Sequence, residues 1–194
     1  MSPLDQEKLR EKVAELFIIR ASGHPYDSQR EFPSWEANNG DLKRFLNNGG
    51  GGVILLGGTV DEIKSRCKVL RKWSTKNILI CADVEEGLGQ RFLGGSKLPP
   101  PMSISLIYKR DPKKAIKLAE EYGKCIGDQA RRCGLNWVLA PVCDINSNPN
   151  NSVINMRAWG EDPIVVSLLT SSFWKGLSSK GVLTCLKHFP GHGD

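Results

Sequence analysis

Ile78-Leu79-Ile80-Cys81-Ala82-Asp83-Val84-Glu85-Glu86-Gly87 is the stretch that decides the fold. Its opening apolar run is too short for a helix and has no polar alternation, so it reads as a strand covered on both faces, with a carboxylate directly at its end. The same grammar occurs upstream in Val53-Ile54-Leu55-Leu56, followed by Gly57-Gly58, and in the short run Leu16 to Ile19, followed by Arg20 to Gly23. Downstream it recurs in Trp137-Val138-Leu139-Ala140 and in Val182-Leu183-Thr184-Cys185-Leu186.

Helical patterns fill the intervals. Ser2-Pro3 reads as an N-cap and first helical residue, with Leu9, Val13 and Leu16 at helical spacing. Leu42, Phe45 and Leu46 mark a short helix ending near the glycines at 49–52. Thr59 and Glu62 form a capping-box pattern ahead of the apolar face Val60, Ile63, Cys67 and Leu70. Asp111-Pro112 opens a long helix with Ala115, Ile116, Ala119, Tyr122 and Ile126 on one face and Gly134 at its end. Asp162-Pro163 opens another, closed near Gly181. Buried strands alternating with amphipathic helices predict an α/β protein with a parallel sheet. Five such units are legible in 194 residues, whereas a closed barrel needs eight strands and about 250 residues. The expectation is a partial TIM (β/α)8 barrel, about the first five β/α units, forming one domain over 1–194.

Composition narrows the function classes. There are 27 basic and 21 acidic residues, a net charge of +6, but the charges interleave. Lys109, Arg110, Lys113, Lys114 and Lys117 precede Glu120 and Glu121 on one helix, and no basic stripe carries aromatics, so nucleic acid is not the expected partner. No apolar run approaches membrane-spanning length and the first dozen residues are charged, which predicts no membrane association and no secretory signal. Cys67, Cys81, Cys125, Cys133, Cys143 and Cys185 sit mostly in apolar segments without a C-x-x-C pair, the usage of reduced thiols in a cytoplasmic protein.

In parallel α/β folds, sites gather at the carboxyl ends of the strands. Three segments there carry chemistry. Lys187-His188-Phe189-Pro190-Gly191-His192-Gly193-Asp194 places a lysine and two histidines after a buried strand, around a Pro-Gly turn. It reads as a site, with a metal-binding set of His188, His192 and Asp194 as the lesser alternative, since Lys187 would repel a cation. Asp83 to Arg91 offers a carboxylate and a guanidinium suited to a hydroxyl-rich or anionic ligand, or equally a rim salt bridge. The Asn-rich run from Asp144 to Asn151 reads as turn capping, while Arg157, beside Trp159, is a donor fork suited to a sugar or a phosphate. Neither the glycines at 49–52 nor those at 87–89 match a nucleotide-binding pattern.

Together, Ala82-Asp83-Val84-Glu85 to Gln90-Arg91-Phe92, Leu98-Pro99-Pro100-Pro101, Leu139-Ala140-Pro141-Val142-Cys143-Asp144-Ile145-Asn146, Arg157-Ala158-Trp159-Gly160-Glu161-Asp162-Pro163 and Lys187 to Asp194 resemble, in order, the catalytic barrel of glycoside hydrolase family 3. Lys-His-Phe-Pro-Gly-His-Gly is similar to its β-N-acetylhexosaminidase branch; a β-glucosidase-type exo-glycosidase is the alternative within the family, and a non-catalytic sugar-binding protein the alternative outside it. The resemblance implies retaining hydrolysis of terminal β-linked N-acetylglucosamine, a carbohydrate substrate, no metal and no organic cofactor. In bacteria such enzymes act on cell-wall fragments in the cytoplasm. It assigns Asp83, Arg91, Arg157, Lys187 and His188 to sugar binding, Lys187 and His188 as donors to sugar oxygens, and leaves His192 to shape the loop. It places the acid/base and the nucleophile after Asp194, so this chain is expected to hold neither and to be inactive or nearly so by itself. Glu85-Glu86-Gly87-Leu88 departs from the family's Glu-Gly-Gly-Arg, and Trp159 stands where Phe or Tyr is more usual.

Overall fold

The computed structural model describes residues 3–194, the side chain of Pro3 excepted. The expected Ser2 cap lies outside the described residues. The described residues form two compact units, one of residues 3–82, 91–94 and 132–135, the other of 83–90, 95–131 and 136–194.

The first unit contains helix α1 (Pro3–Ala14), strand β1 (Ile18–Ser22), α2 (Asn39–Asn47), β2 (Gly52–Leu56), α3 (Val60–Trp73) and β3 (Leu79–Ala82). The strands are parallel, with Ile19 beside Val53 and Val53 beside Ile80. Val53, Leu55 and Ile80 are buried, and Leu42, Leu46, Ile63, Cys67 and Leu70 complete this core from α2 and α3. The capping box forms as its residues dictate: Thr59 Oγ1 accepts from Glu62 N, and Glu62 Oε2 accepts from Thr59 N. Leu9, Val13 and Leu16 are exposed, so the apolar spacing of α1 is not a core-facing stripe, and the strand after it begins at Ile18 rather than Leu16.

The second unit contains α4 (Met102–Tyr108), α5 (Pro112–Cys133, its last residues belonging to the first unit), β4 (Trp137–Val138) and α6 (Pro163–Ser178). Helix α4 is absent from the sequence reading, which took 98–101 as motif only; Ser103 N and Ile104 N bond to the carbonyls of Pro100 and Pro101, and the helix starts from that proline run. Strand β4 is shorter than the predicted apolar run, ending at Val138, and Pro141 beyond it has no N–H to give a ladder. The run 182–186, expected as a strand, and Lys187 after it take part only in isolated parallel bridges, Trp137 with Leu183 and Val142 with Lys187. Cys185 N donates to Ala140 O, and Lys187 N to Pro141 O. Asp162 caps α6, accepting from Ile164 N and Val165 N. At Gly123 and Gly176 an added Cβ would run into the backbone of Phe173 and Glu120 respectively, so α5 and α6 approach closely where both lack side chains. Tyr122, Trp159 and Phe173 form an aromatic cluster with centroids 5.3–6.1 Å apart.

Candidate functional site

The second unit holds the site, at the carboxyl ends of its strand segments. Asp83 follows β3 immediately, and Glu85 stands two residues on, where the chain enters a turn closed by Gly87 N donating to Val84 O. Pairing of Val142 with Lys187 sets Lys187 at the end of the neighbouring segment. Lys187 Nζ lies 2.8 Å from Asp83 Oδ1 and 2.5 Å from Glu85 Oε1. Arg157 reaches Glu85 from a single 3-10 turn: Nε donates to Oε2 at 2.9 Å and Nη2 to Oε1 at 2.8 Å, while Nη1 donates to Val153 O. Glu85 is only 3% exposed, so two cations answer one buried carboxylate, the arrangement a buried charge requires. Burial alone would raise the Glu85 carboxyl. Hydrogen bonds and charge from Arg157 and Lys187 outweigh it and hold the group at about 2. The Glu85 carboxylate in turn raises Arg157 further, against the opposing effect of burial.

Beside this network lies a second assembly around Asp144, whose side chain is 1% exposed. Its Oδ2 accepts from His188 N at 3.1 Å and sits 2.5 Å from His188 Nδ1; its Oδ1 accepts from His192 N at 2.6 Å. Burial raises the Asp144 carboxyl, but these bonds outweigh burial and leave it below the ordinary carboxylate value. The His188 and His192 rings meet edge to face, 5.6 Å between centroids. The Lys187–His188 and Phe189–Pro190 peptides are cis. The loop is fastened to the Asn-rich run: Asn151 Nδ2 donates to His192 O and Asp194 O, and Ser147 Oγ to Gly193 O. A Cβ on Gly193 would strike the Ile145 backbone, so only glycine permits this seat. A cavity of about 490 Å³ opens here, lined among others by Asp144, Lys187, His188, Phe189 and His192.

Of the residues expected at the site, Asp83, Arg157 and Lys187 join one network, and His188 and His192 join the other. Arg91 lies in the first unit and is exposed. Two residues that the reading did not assign organise both networks, Glu85 and Asp144. The signal existed: each follows a buried strand run at its carboxyl end, as Asp83 does, but Asp144 looked like the start of a turn-capping run. The fork of Arg157 is spent on Glu85 rather than held open beside Trp159, which is buried in the aromatic cluster. The extra carboxylate Glu86 pairs with Lys97 Nζ at 3.0 Å, and Leu88 is buried. Among the described residues no group of three or more His, Cys, Asp or Glu side chains is placed to hold a metal ion, and no helix is long and apolar enough to cross a membrane.

The family model described as the glycosyl hydrolase family 3 N terminal domain matches residues 8–194. A β-hexosaminidase of Stenotrophomonas maltophilia R551-3 is 42% identical over 133 residues, 68% of this chain and 39% of the relative. One of Bordetella pertussis is 36% identical over 159 residues, 79% of this chain and 45% of the relative. Thus the chain spans less than half the length of these curated relatives. Among solved structures, NagZ from Neisseria gonorrhoeae in complex with N-trifluoroacetyl-D-glucosamine aligns with TM-score 0.75 at 27% identity, covering 90% of this chain and 51% of that one. The β-glucoside phosphorylase BglX aligns over the whole chain and 34% of its own, TM-score 0.76 at 24% identity, a likeness of fold alone.

Proposed function

Since the chain belongs to glycosyl hydrolase family 3, we propose that it supplies the sugar-binding rim of a retaining β-N-acetylhexosaminidase acting on terminal β-linked N-acetylglucosamine. The observation that carries this reading is the pair of networks at one carboxyl edge, Asp83–Lys187–Glu85–Arg157 and Asp144–His188, in a unit that also holds an open cavity. Sugar recognition needs fixed donors and acceptors whose side chains do not reorganise on binding. Here Asp83 and Lys187 fix each other, and Lys187 retains a third N–H for a sugar oxygen after its two carboxylate bonds. The curated β-hexosaminidases and the amino-sugar-bound NagZ are the relatives that favour an N-acetylated sugar.

The same geometry supports a division of labour. Retaining hydrolysis needs a nucleophile and an acid/base about 5–5.5 Å apart, the acid with a raised pKa. Glu85 and Asp144 are both depressed and committed to cations or N–H groups. They serve as binding and positioning groups, and neither suits the role of the acid. Cell-wall fragments in the cytoplasm are the proposed setting.

Titration calorimetry of the 194-residue chain with N-acetylglucosamine and with glucose tests the reading. Binding of the N-acetylated sugar in preference, abolished by Lys187→Met, is expected, together with no more than trace release of nitrophenol from a β-N-acetylglucosaminide. Robust turnover by this chain would overturn the division of labour, and a preference for glucose would favour the β-glucosidase alternative.

A further inference from the structure

Resting on the sugar-site reading, we infer that Asp144 is the positioning residue of the Lys187–Asp194 loop, holding His188 as its Nδ1–H tautomer and so turning the bare Nε2 of the neutral ring toward the ligand cavity. An ionised carboxylate has only acceptors. A bare Nδ1 lone pair 2.5 Å from Asp144 Oδ2 would face it acceptor to acceptor, so Nδ1 must carry the proton. The hydrogen bond at one ring nitrogen fixes the role of the other. Among the described residues Nε2 has no protein partner, and the ring lines the cavity.

The consequence reverses the role expected from the sequence. In its neutral form His188 presents an acceptor to the sugar, a lone pair for a hydroxyl proton. Nε2 becomes a donor only when the ring is charged. The donor of the site is then Lys187, with its third N–H, and His188 complements it by receiving a hydroxyl hydrogen. Asp144 secures this with one side chain, because the same carboxylate that sets the tautomer also takes His188 N and His192 N. The ring's orientation and the path of the loop are therefore one structural decision. The charged and titratable groups that line the cavity with the ring are Cys143 and Asp144 from the segment beyond β4, and Lys187, His192 and Asp194 from its own loop.

The chain has three histidines, so imidazole ¹⁵N spectra are simple to assign, with His188→Gln identifying its own signals. Solution spectra, or magic-angle spinning of sedimented protein, serve equally. Above pH 8 the expected pattern for His188 is a protonated, pyrrole-like Nδ1. In Asp144→Ala the Nδ1 proton is lost to the Nε2–H form, with the signals of His24 unchanged. Asp144→Asn, the variant of choice if the alanine chain does not fold, offers one oxygen to three N–H groups and lowers the Nδ1–H population. A pyridine-like Nδ1 in the unmodified chain would overturn the inference whatever the variants do. Adding N-acetylglucosamine separates the two readings. A shift of the His188 Nε2 signal supports both, and an unmoved Nε2 with Nδ1–H intact defeats the sugar site and leaves the positioning role standing.

Discussion

Glu85 shows how one residue ties stability to the site. With an ordinary value near 4.5 and a folded value of about 2, its depressed carboxyl contributes stability that is present above pH 4.5. That contribution falls as pH drops from 4.5 toward 2, by about 3 kcal/mol in all. Urea unfolding at pH 7, 4.5 and 3 measures it; Glu85→Gln is expected to flatten the acid limb of the unmodified chain. Arg157→Lys keeps the charge and loses the two-point grip on Glu85, at a cost of about 1–2 kcal/mol. N-acetylglucosamine binding should weaken in the same variant, read by calorimetry. Lys187→Met removes one of the two cations facing Glu85 and should destabilise by about 3 kcal/mol, more than any surface ion pair of the unit.

At the scale of elements, caps and close approaches make the strand ends converge. Thr59 and Asp162 each satisfy N–H groups at a helix start, and Asp162→Ala should cost about 1 kcal/mol in a thermal melt. Gly176→Val puts a branched side chain where α6 meets the Glu120 carbonyl. Overpacking there costs about 1–3 kcal/mol, and because α6 leads into the 182–187 segment, the melt and the sugar affinity should fall together. These elements were legible because local rules govern them: a capping box, proline at a first turn, an apolar face at helical period. Helix α1 forms where its pattern predicts it, yet its apolar residues stay exposed, since spacing shows which residues share a face and not whether anything covers it.

For the second unit as a whole, exposed apolar groups dominate behaviour in solution. Leu183 is 55% exposed, Leu186 64% and Phe189 97%, with Trp174 half exposed on α6. An uncovered apolar surface beside a parallel-paired segment invites association. Sedimentation of the 194-residue chain should show concentration-dependent self-association, reduced by Leu186→Lys; a monodisperse monomer at high concentration would contradict this.

The sequence by itself determined the α/β class, the strand-end positions of Asp83, Lys187 and His188, and the family, because runs of apolar residues and ordered motifs are local or colinear signals. Only tertiary structure decided who faces whom. Glu85 lies 72 residues from Arg157 along the chain, and Asp144 lies 44 from His188. No period or spacing encodes such pairs, since they arise when separate strand segments end side by side. That juxtaposition turned Asp144 from the start of a turn-capping run into the residue that orders the loop, and His188 from a donor into an acceptor.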